Sequence, residues 1–241
     1  MSFRWGGTVS TIAELMTTRF KDEKTNEHDA LFSSPRGIAI SKDNILYVAD
    51  AHNHQIKKIS NDGIVSIITG SIDGFKDGNK NESLFSAPHG ITISQDGTLY
   101  IADTFNHRIR KISTDGIVST VAGSNLGFRD GNANDSLFNH QSGIAISHDG
   151  TLYVADHNNH RIRKISTNGI VSTITGSNEG LEDGNTNESL FYFPWSIAIS
   201  RNGALYVTDS GNQRIRKISP NEQYFPIKVL LNDNNYSDMV L

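Results

Sequence analysis

Short runs of apolar and β-branched residues, each ended by a turn sequence, recur along most of the chain. Within residues 137–176 such runs lie at 143–147, 151–156, 161–166 and 170–175. Asp149-Gly150 separates the first two runs and is typical of a hairpin, because glycine adopts positive φ angles without steric cost. We expect Asn158 and Asn159 to form the next turn, since asparagine tolerates left-handed dihedral angles. The pattern predicts four antiparallel strands joined by hairpins.

The alternation within these runs predicts which side chains share a face of the sheet. Leu152 and Val154 point to one face, and Tyr153 and Ala155 point to the other. In the third run two isoleucines stand three residues apart, which places them on opposite faces. A sheet that is apolar on both faces needs a cover on each side. Radial packing of several such sheets provides it, and each unit is therefore interpreted as the blade of a β-propeller.

The same unit recurs with a fixed period of 53 residues. Leu31, Leu84, Leu137 and Leu190 mark its start, and no insertion interrupts the series. A fixed period of this size indicates an array of identical supersecondary units. We predict an all-β chain, with residues 1–241 forming a single propeller domain of four blades. The repeats are expected at about 31–83, 84–136, 137–189 and 190–219.

The two ends of the repeat region are complementary in sequence. Residues 7–13, GTVSTIA, are similar to the fourth run of a unit, such as GIVSTVA at 116–122, but lack the three runs that should precede it. The last repeat lacks its own fourth run, since Pro220 follows the third. We expect residues 8–13 to complete the last blade and remove its open edge. The alternatives are an incomplete ring from a longer parent, or two chains pairing into a larger assembly. Residues 221–241 are expected to form an irregular tail.

The repeat resembles the NHL repeat. The residues that carry the resemblance are YVAD at 153–156, NHRIRK at 159–164, and the glycines and aspartate of the linker GSNLGFRDG at 123–131. It extends over about residues 7–219, with Gln or Arg at the third position of the Asn-His-Leu signature and Asn212-Gln213 replacing Asn-His. The resemblance implies a propeller, usually of six blades, and roles mainly in protein binding, with RNA binding in some members. Related propellers include a peptide-amidating lyase and lactone hydrolases.

Composition narrows the function classes. The net charge of −4 gives no electrostatic argument for nucleic acid or an anionic membrane surface. The absence of cysteine excludes disulfides, thiol chemistry and Cys-ligated zinc. No apolar stretch approaches the length of a transmembrane helix, and the first residues lack the apolar core of a signal peptide. We therefore predict a cytoplasmic location and no membrane association.

Polar residues that recur in every blade are interpreted as structural. They comprise Asp50, Asp103, Asp156 and Asp209, Asn53, Asn106, Asn159 and Asn212, and His54, His107 and His160. We expect each carboxylate to accept hydrogen bonds from the turn backbone or from an arginine of the third strand, because a buried charge must be paired. The alternative is a set of metal ligands or catalytic dyads. The DGNxN sequences of the linkers, at 77–81, 130–134 and 183–187, are similarly interpreted as turn networks rather than calcium loops.

Positions that differ between blades are the candidates for recognition. The loop into each first strand and the loop between the second and third strands should emerge on the same rim of the propeller, and loops on a rigid scaffold carry recognition. Aromatic residues and arginine tend to dominate interfaces. The predicted ligand-binding rim consists of Arg36, His52, His89, Phe105, Ser142, His157 and Trp195.

We favour a non-enzymatic scaffold that binds a protein or peptide at this rim, with no catalytic residue, metal or cofactor. A metal-dependent lyase or lactone hydrolase is the first alternative, since His52, His89, His140 and His157 can approach the channel mouth. RNA binding through the pairs at 110–111 and 163–164 is the second, although repetition in every blade favours solvated edge charges. Nucleic acid is not an expected partner, and oligomerisation is expected if the ring is incomplete.

Overall fold

The computed structural model describes residues 32–220 and Ile12. The described chain forms four antiparallel sheets. Blade 1 consists of β1 (Pro35–Ile40), β2 (Leu46–Asp50), β3 (Gln55–Ile59) and β4 (Val65–Thr69). Blade 2 consists of β5 (Gly78–Asn79), β6 (Pro88–Ile93), β7 (Leu99–Asp103), β8 (Arg108–Ile112) and β9 (Ile117–Ala122). Blade 3 consists of β10 (Gly131–Asn132), β11 (Ile144–Ile146), β12 (Leu152–Asp156), β13 (Arg161–Ile165) and β14 (Ile170–Thr175). Blade 4 consists of β15 (Pro194–Ile199), β16 (Leu205–Asp209) and β17 (Arg214–Ile218).

The four sheets stand in a ring around a central channel, and the predicted four-bladed β-propeller is confirmed. Four strands follow chain order across blades 1 to 3, and three across blade 4. The short strands β5 and β10 belong to the linkers and pair with the outer strands β9 and β14. Single 3-10 turns connect the second and third strands, at Ala51–Asn53, Thr104–Asn106, His157–Asn159 and Ser210–Asn212. Within residues 32–220, no helix combines the length and hydropathy required to cross a bilayer.

The predicted division of side chains between the two faces is also confirmed. We call the face of a blade that points to the preceding blade its front face, and the opposite face its back face. Leu152 and Val154 of blade 3 pack with Ala102 and Ile109 of blade 2. The back face of blade 3, including Ile162, packs with the front face of blade 4. Each joint between consecutive blades is therefore a continuous apolar layer built from the same repeat positions.

The left-handed residue after the 3-10 turn is not an asparagine, as the sequence suggested, but the histidine that follows it. His54, His107 and His160 have φ values of 55°, 55° and 56°, and Gln213 has 55°. In this conformation His107 Nδ1 accepts a hydrogen bond from the backbone N–H of His140 at 3.3 Å. His54 and His160 bind the next blades in the same way, at 3.1 and 3.2 Å. The repeated histidine thus fastens each blade to its successor.

The repeated aspartates form the predicted hydrogen-bond network. Asp103 Oδ1 accepts the backbone N–H of Ser86 at 2.8 Å, and its Oδ2 accepts from Asn106 Nδ2 at 2.9 Å and Arg110 Nη1 at 2.8 Å. Asp103 and Arg110 are fully buried. The guanidinium also lies 4.8 Å from the ring centroids of Phe75 and Phe85. Such a fully paired, buried ion pair is costly to break from one side. The equivalent pairs are Asp50–Lys57, Asp156–Arg163 and Asp209–Arg216.

The linker aspartates complete this network. Asp77 Oδ1 accepts from Arg110 Nη2, and Asp77 Oδ2 accepts the backbone N–H and the hydroxyl of Thr120, both at 3.0 Å. Asp130 contacts Arg163 and the backbone N–H of Thr173 in the same way. The carboxylates therefore tie the linker to the third and fourth strands, which supports the interpretation as turn networks.

The joint between blade 4 and blade 1 differs from the other three. On the front face of blade 1, Ile38 is 63% exposed, whereas its equivalents in blades 2 to 4 are each 6% exposed. On the back face of blade 4, Ile215 is 70% exposed, whereas its equivalents in blades 1 to 3 are fully buried. Tyr206, on the same back face, is 43% exposed. The front face of blade 1 and the back face of blade 4 therefore do not cover each other, and we refer to this place as the open joint.

The expected closing strand at 8–13 lies outside the described residues, apart from Ile12. Ile12 lies in a bend and is 57% exposed. The expected tail at 221–241 also lies outside them. Completion of blade 4 by residues 8–13 stays a prediction.

Candidate functional site

Bulges at the start of the inner strands direct three of the predicted rim residues towards the channel. Pro35, Pro88 and Pro194 each pair with the aspartate that ends the second strand, and the register shifts immediately afterwards. The shift spans the positions of Arg36, His89 and Trp195. A bulge of this kind bends the strand and re-aims the side chain it carries. The 3-10 turns carry His52, Phe105 and His157, and Ser142 lies in the segment before β11.

Trp195 joins the blades at the channel mouth. Its ring centroid lies 5.4 Å from that of His89 and 4.9 Å from that of His157. The guanidinium carbon of Arg36 lies 5.5 Å from the same ring, within the range of a cation–π contact. Side chains from blades 1, 2, 3 and 4 therefore meet around one indole, although they are distant in sequence.

A second row of rings extends this cluster along the rim. Phe105 is 55% exposed and lies 6.4 Å from His89 and 5.2 Å from His140. On the other side, Phe193 stacks on His157 at 4.9 Å and contacts His160 at 4.8 Å. We refer to Arg36, His89, Phe105, His140, His157, Phe193 and Trp195 together as the channel-mouth cluster.

Two predicted rim residues have other positions. Ser142 is 2% exposed, and its hydroxyl donates to the carbonyl oxygen of Trp195 at 2.5 Å. It therefore lies beneath the cluster and fixes the Trp195 backbone instead of facing a ligand. His52 is exposed, and it is the last of the neighbours that contribute to lowering the pKa of His89, after burial, Arg36, His157 and His140. It lies at the margin of the cluster.

Sequence reasoning missed Phe193 and considered His140 only for an enzyme. Both have positive φ, at 51°. Phe193 immediately precedes β15, and His140 occupies the equivalent repeat position four residues before β11. The signal was present, because this position also varies between blades, as Ser34, Ala87, His140 and Phe193. The loop before each inner strand therefore varies between blades at two positions, whereas the predicted rim included only one of them.

The histidines of the channel mouth are held in their neutral form. Burial, followed by the positive charge of Arg36 and the neighbouring imidazoles, lowers the pKa of His89 to about 4. Burial also lowers the pKa values of His140 and His157. At neutral pH the cluster is therefore a largely apolar aromatic surface beside the Arg36 cation.

Among the described residues near the mouth, two buried polar atoms have no hydrogen-bond partner. They are His89 Nδ1 and Gln141 Oε1. Gln141 is fully buried, and its Nε2 donates to the carbonyl oxygens of Asp103 and Arg108 at 3.2 and 2.7 Å. Within the described part of the chain, no group of three or more His, Cys, Asp or Glu side chains has the spacing of a metal site. Both atoms are buried from solvent, so they lie beneath the surface of the mouth and are not exposed contact points for a ligand.

The Arg-Lys pairs do not form the solvated edge that the sequence suggested. Arg110 and Arg163 are fully buried and bound to aspartates, whereas Lys111 and Lys164 are exposed. The expectation was wrong for the arginines because alternate residues of a strand point to opposite faces. The buried guanidinium groups already pair with aspartates of the blade, so they cannot bind the phosphates of a nucleic acid.

Models of the NHL repeat match residues 32–59 and 191–218, and models of the teneurin NHL domain match residues 73–130 and 127–183. The chain belongs to the NHL repeat family. It is 27% identical to human teneurin-4 over 233 residues, which cover 81% of this chain and 8% of teneurin-4. The chain therefore spans a small part of the length of this relative.

Solved propellers of different character share the fold of this NHL chain. An auxiliary nutrient binding protein from Bacteroides ovatus is 20% identical with a TM-score of 0.64, covering 80% of this chain and 49% of that one. Virginiamycin B lyase from Staphylococcus aureus is 18% identical with a TM-score of 0.50, covering 77% and 55%. At these identities the likeness concerns the fold alone. Because these two proteins are a binding protein and an enzyme, the shared fold does not decide the function, which must be argued from the site.

Proposed function

We propose that the chain is a non-enzymatic binding module that recognises a peptide segment of a protein partner at the channel mouth. The observation that carries the proposal is the convergence of Arg36, His89, His157 and Trp195 from four blades onto one surface. These positions differ between blades on a frame that is otherwise repeated. Drift at exposed loops would not require the variable side chains to contact one another.

The chemistry of the cluster favours a partner with aromatic and acidic side chains. The exposed Phe105 ring and the half-buried Trp195 ring offer apolar contact area with little side-chain entropy to lose. Arg36 is exposed, and its Nε contacts the hydroxyl of Ser34 at 3.2 Å. This weak local bond leaves the guanidinium able to pair with a carboxylate. An extended peptide that crosses the mouth can use both features.

A selection from a peptide library displayed on phage tests this proposal with the intact chain as bait. The double variant Arg36→Ala/Trp195→Ala should bind the selected peptides at least about tenfold more weakly, equivalent to about 1.4 kcal/mol. Its thermal stability should stay close to that of the unmodified chain, because Arg36 is exposed and Trp195 is half-buried.

Arg201→Ala is the matched control, because Arg201 lies in the exposed turn between β15 and β16, at the other end of these strands from Trp195. This variant should bind the selected peptides as the unmodified chain does. Equal binding by the double variant, or failure to enrich any peptide family, would contradict the proposal.

A further inference from the structure

Blade 4 has a slot of the size of one strand at its outer edge. In blades 2 and 3 the linker strands β5 and β10 pair with the fourth strands β9 and β14. The corresponding linker residues of blade 4, Gly184 and Asn185, line a cavity of about 630 Å³. The opposite wall is formed by Arg216–Ser219, which includes the end of β17. Within the described residues, blade 4 has no fourth strand between these walls.

Asp183 indicates what this slot accepts. Its Oδ1 pairs with Arg216 Nη2 at 2.6 Å, as Asp77 and Asp130 pair with their arginines. In blades 2 and 3 the second carboxylate oxygen also accepts the backbone N–H of a threonine in the fourth strand. The Asp183 side chain is 90% exposed, whereas those of Asp77 and Asp130 are 40% and 39% exposed. The acceptor for a strand N–H is therefore in place in blade 4, and the slot is suited to an extended backbone.

The chain contains one further segment with the sequence of a fourth strand. Residues 7–13, GTVSTIA, are identical at five of seven positions to 116–122, GIVSTVA, and at five of seven to 169–175, GIVSTIT. Thr11 corresponds to Thr120, which binds Asp77. Val9 corresponds to Val118, which is 1% exposed against the core. The segment thus has the side chains that the slot requires.

The open joint decides which copy of the segment fits. In every complete joint, a fourth strand is followed by a linker and then by the blade whose front face covers the preceding back face. A segment 7–13 seated on blade 4 therefore brings its own blade 1 against the back face of blade 4. Within one chain, Ile38 of that front face and Ile215 of that back face are 63% and 70% exposed. The chain's own blade 1 does not occupy this place.

We propose that the slot and the back face of blade 4 bind residues 7–13 and the front face of blade 1 of a second copy of this chain, head to tail. The two surfaces are the halves of a joint that occurs three times within the chain, so they are complementary by repetition. Exchange of an element between identical chains is a low-cost route to a dimer, and a head-to-tail contact closes into a ring when its rotation permits. The blades that flank this joint carry Arg36 and Trp195 of the channel-mouth cluster, but the test of the assembly is separate from the test of peptide binding.

Cysteine cross-linking tests the exchange, since the chain has no cysteine of its own. Lys111 pairs with Ser119 and Lys164 with Ser172 in the complete blades, so the exchanged strand should place Ser10 opposite Lys217. Paired positions on neighbouring antiparallel strands are close enough for a disulfide. A mixture of Ser10→Cys and Lys217→Cys chains, carrying tags of different size, should form a covalent heterodimer under mild oxidation.

Lys111→Cys/Ser119→Cys within one chain is the positive control and should cross-link without a change in mass. The double variant Ser10→Cys/Lys217→Cys should give covalent dimers or longer head-to-tail species. An internal cross-link at the mass of one chain, or no cross-link in the mixture, would overturn the proposal.

Light scattering on the unmodified chain provides a measurement that does not depend on the variants. The expected mass is twice the 26.5 kDa of the chain, or a higher multiple for an open head-to-tail array. Removal of residues 1–13 should return the mass to that of a single chain. A mass of 26.5 kDa for the intact chain over the micromolar range would refute the assembly.

Discussion

At the scale of single residues, one histidine in each of three blades combines a backbone and a side-chain role. Its left-handed conformation ends the 3-10 turn, and its Nδ1 accepts an N–H from the next blade. Left-handed dihedral angles are uncommon for histidine, so the cost is offset by a contact that glycine could not make. The sequence predicted the turn correctly but assigned this conformation to the preceding asparagine. Only the neighbouring blade reveals why histidine occupies the position.

This contact should make stability depend on pH. Burial, then the charges of His140 and Arg108, lowers the pKa of His107 to about 4. An unfolded histidine titrates near about 6.5, so between these pH values the unfolded chain binds more protons. The contribution of His107 is therefore complete above the unfolded pKa and is lost as the pH falls towards 4.

The variant His107→Gln, which has the residue found in blade 4 as Gln213, should reduce this dependence. The measurement is the free energy of unfolding in urea at several pH values between 7 and 4. The decline below pH 6.5 should be steeper for the unmodified chain than for the variant. Contributions of carboxyl groups are common to both proteins and cancel in the comparison. Parallel profiles would mean that the imidazole does not titrate as a link between blades.

At the scale of elements, the pattern of apolar residues was sufficient for the strands and their two faces. The run predicted at 170–175 coincides with β14, and the other runs of blade 3 differ from β11, β12 and β13 by one or two residues. The bulges at the inner strands were not predictable, because they depend on a pairing of Pro88 with Asp103 that the sequence pattern does not encode. Those bulges place His89 and Trp195 in the channel mouth, so the contacts of the candidate site could not be derived in advance.

The inner strands of neighbouring blades approach closely at a repeated glycine. A Cβ added to Gly90 would lie 2.4 Å from the carbonyl oxygen of Ser142 in the next blade. Since this contact is with backbone, Gly90→Ala should lower the free energy of unfolding by about 2–3 kcal/mol, in the range of overpacked sites. Chemical denaturation provides the measurement. Ser196→Ala at the exposed equivalent position of blade 4 is the control, with an expected change within about 0.5 kcal/mol. Equal stability of Gly90→Ala and the unmodified chain would show that the blades can separate at this point.

At the scale of the whole molecule, the repeat period was sufficient to predict the number of blades but not the state of every joint. Ile38 and Ile215 are the same residue type as their buried equivalents, so the sequence pattern assigns them to a core that the fold leaves open. The geometry of the ring, and not the local sequence, determines whether these side chains are covered. For the same reason the sequence identifies the strand at 8–13 and blade 4 as its host, but it does not decide which copy of the chain provides that blade.

The open joint predicts unequal effects for one substitution at equivalent positions. Ile162→Ala removes a fully buried side chain and should cost about 2–5 kcal/mol, whereas Ile215→Ala removes a side chain that is 70% exposed and should cost less than about 0.5 kcal/mol. Both free energies are measured by urea denaturation at low protein concentration, where the chain is not associated. A large loss in Ile215→Ala under these conditions would indicate that the joint is packed within a single chain.

The equivalence of the three joints also bears on how such a chain changes size. The three joints use the same repeat positions, so an in-frame gain or loss of one 53-residue unit creates an interface of the same kind as those already present. Unequal recombination within the gene can therefore vary the circumference without first evolving new packing. The variable side chains at the mouth would then be brought into new combinations by the same event.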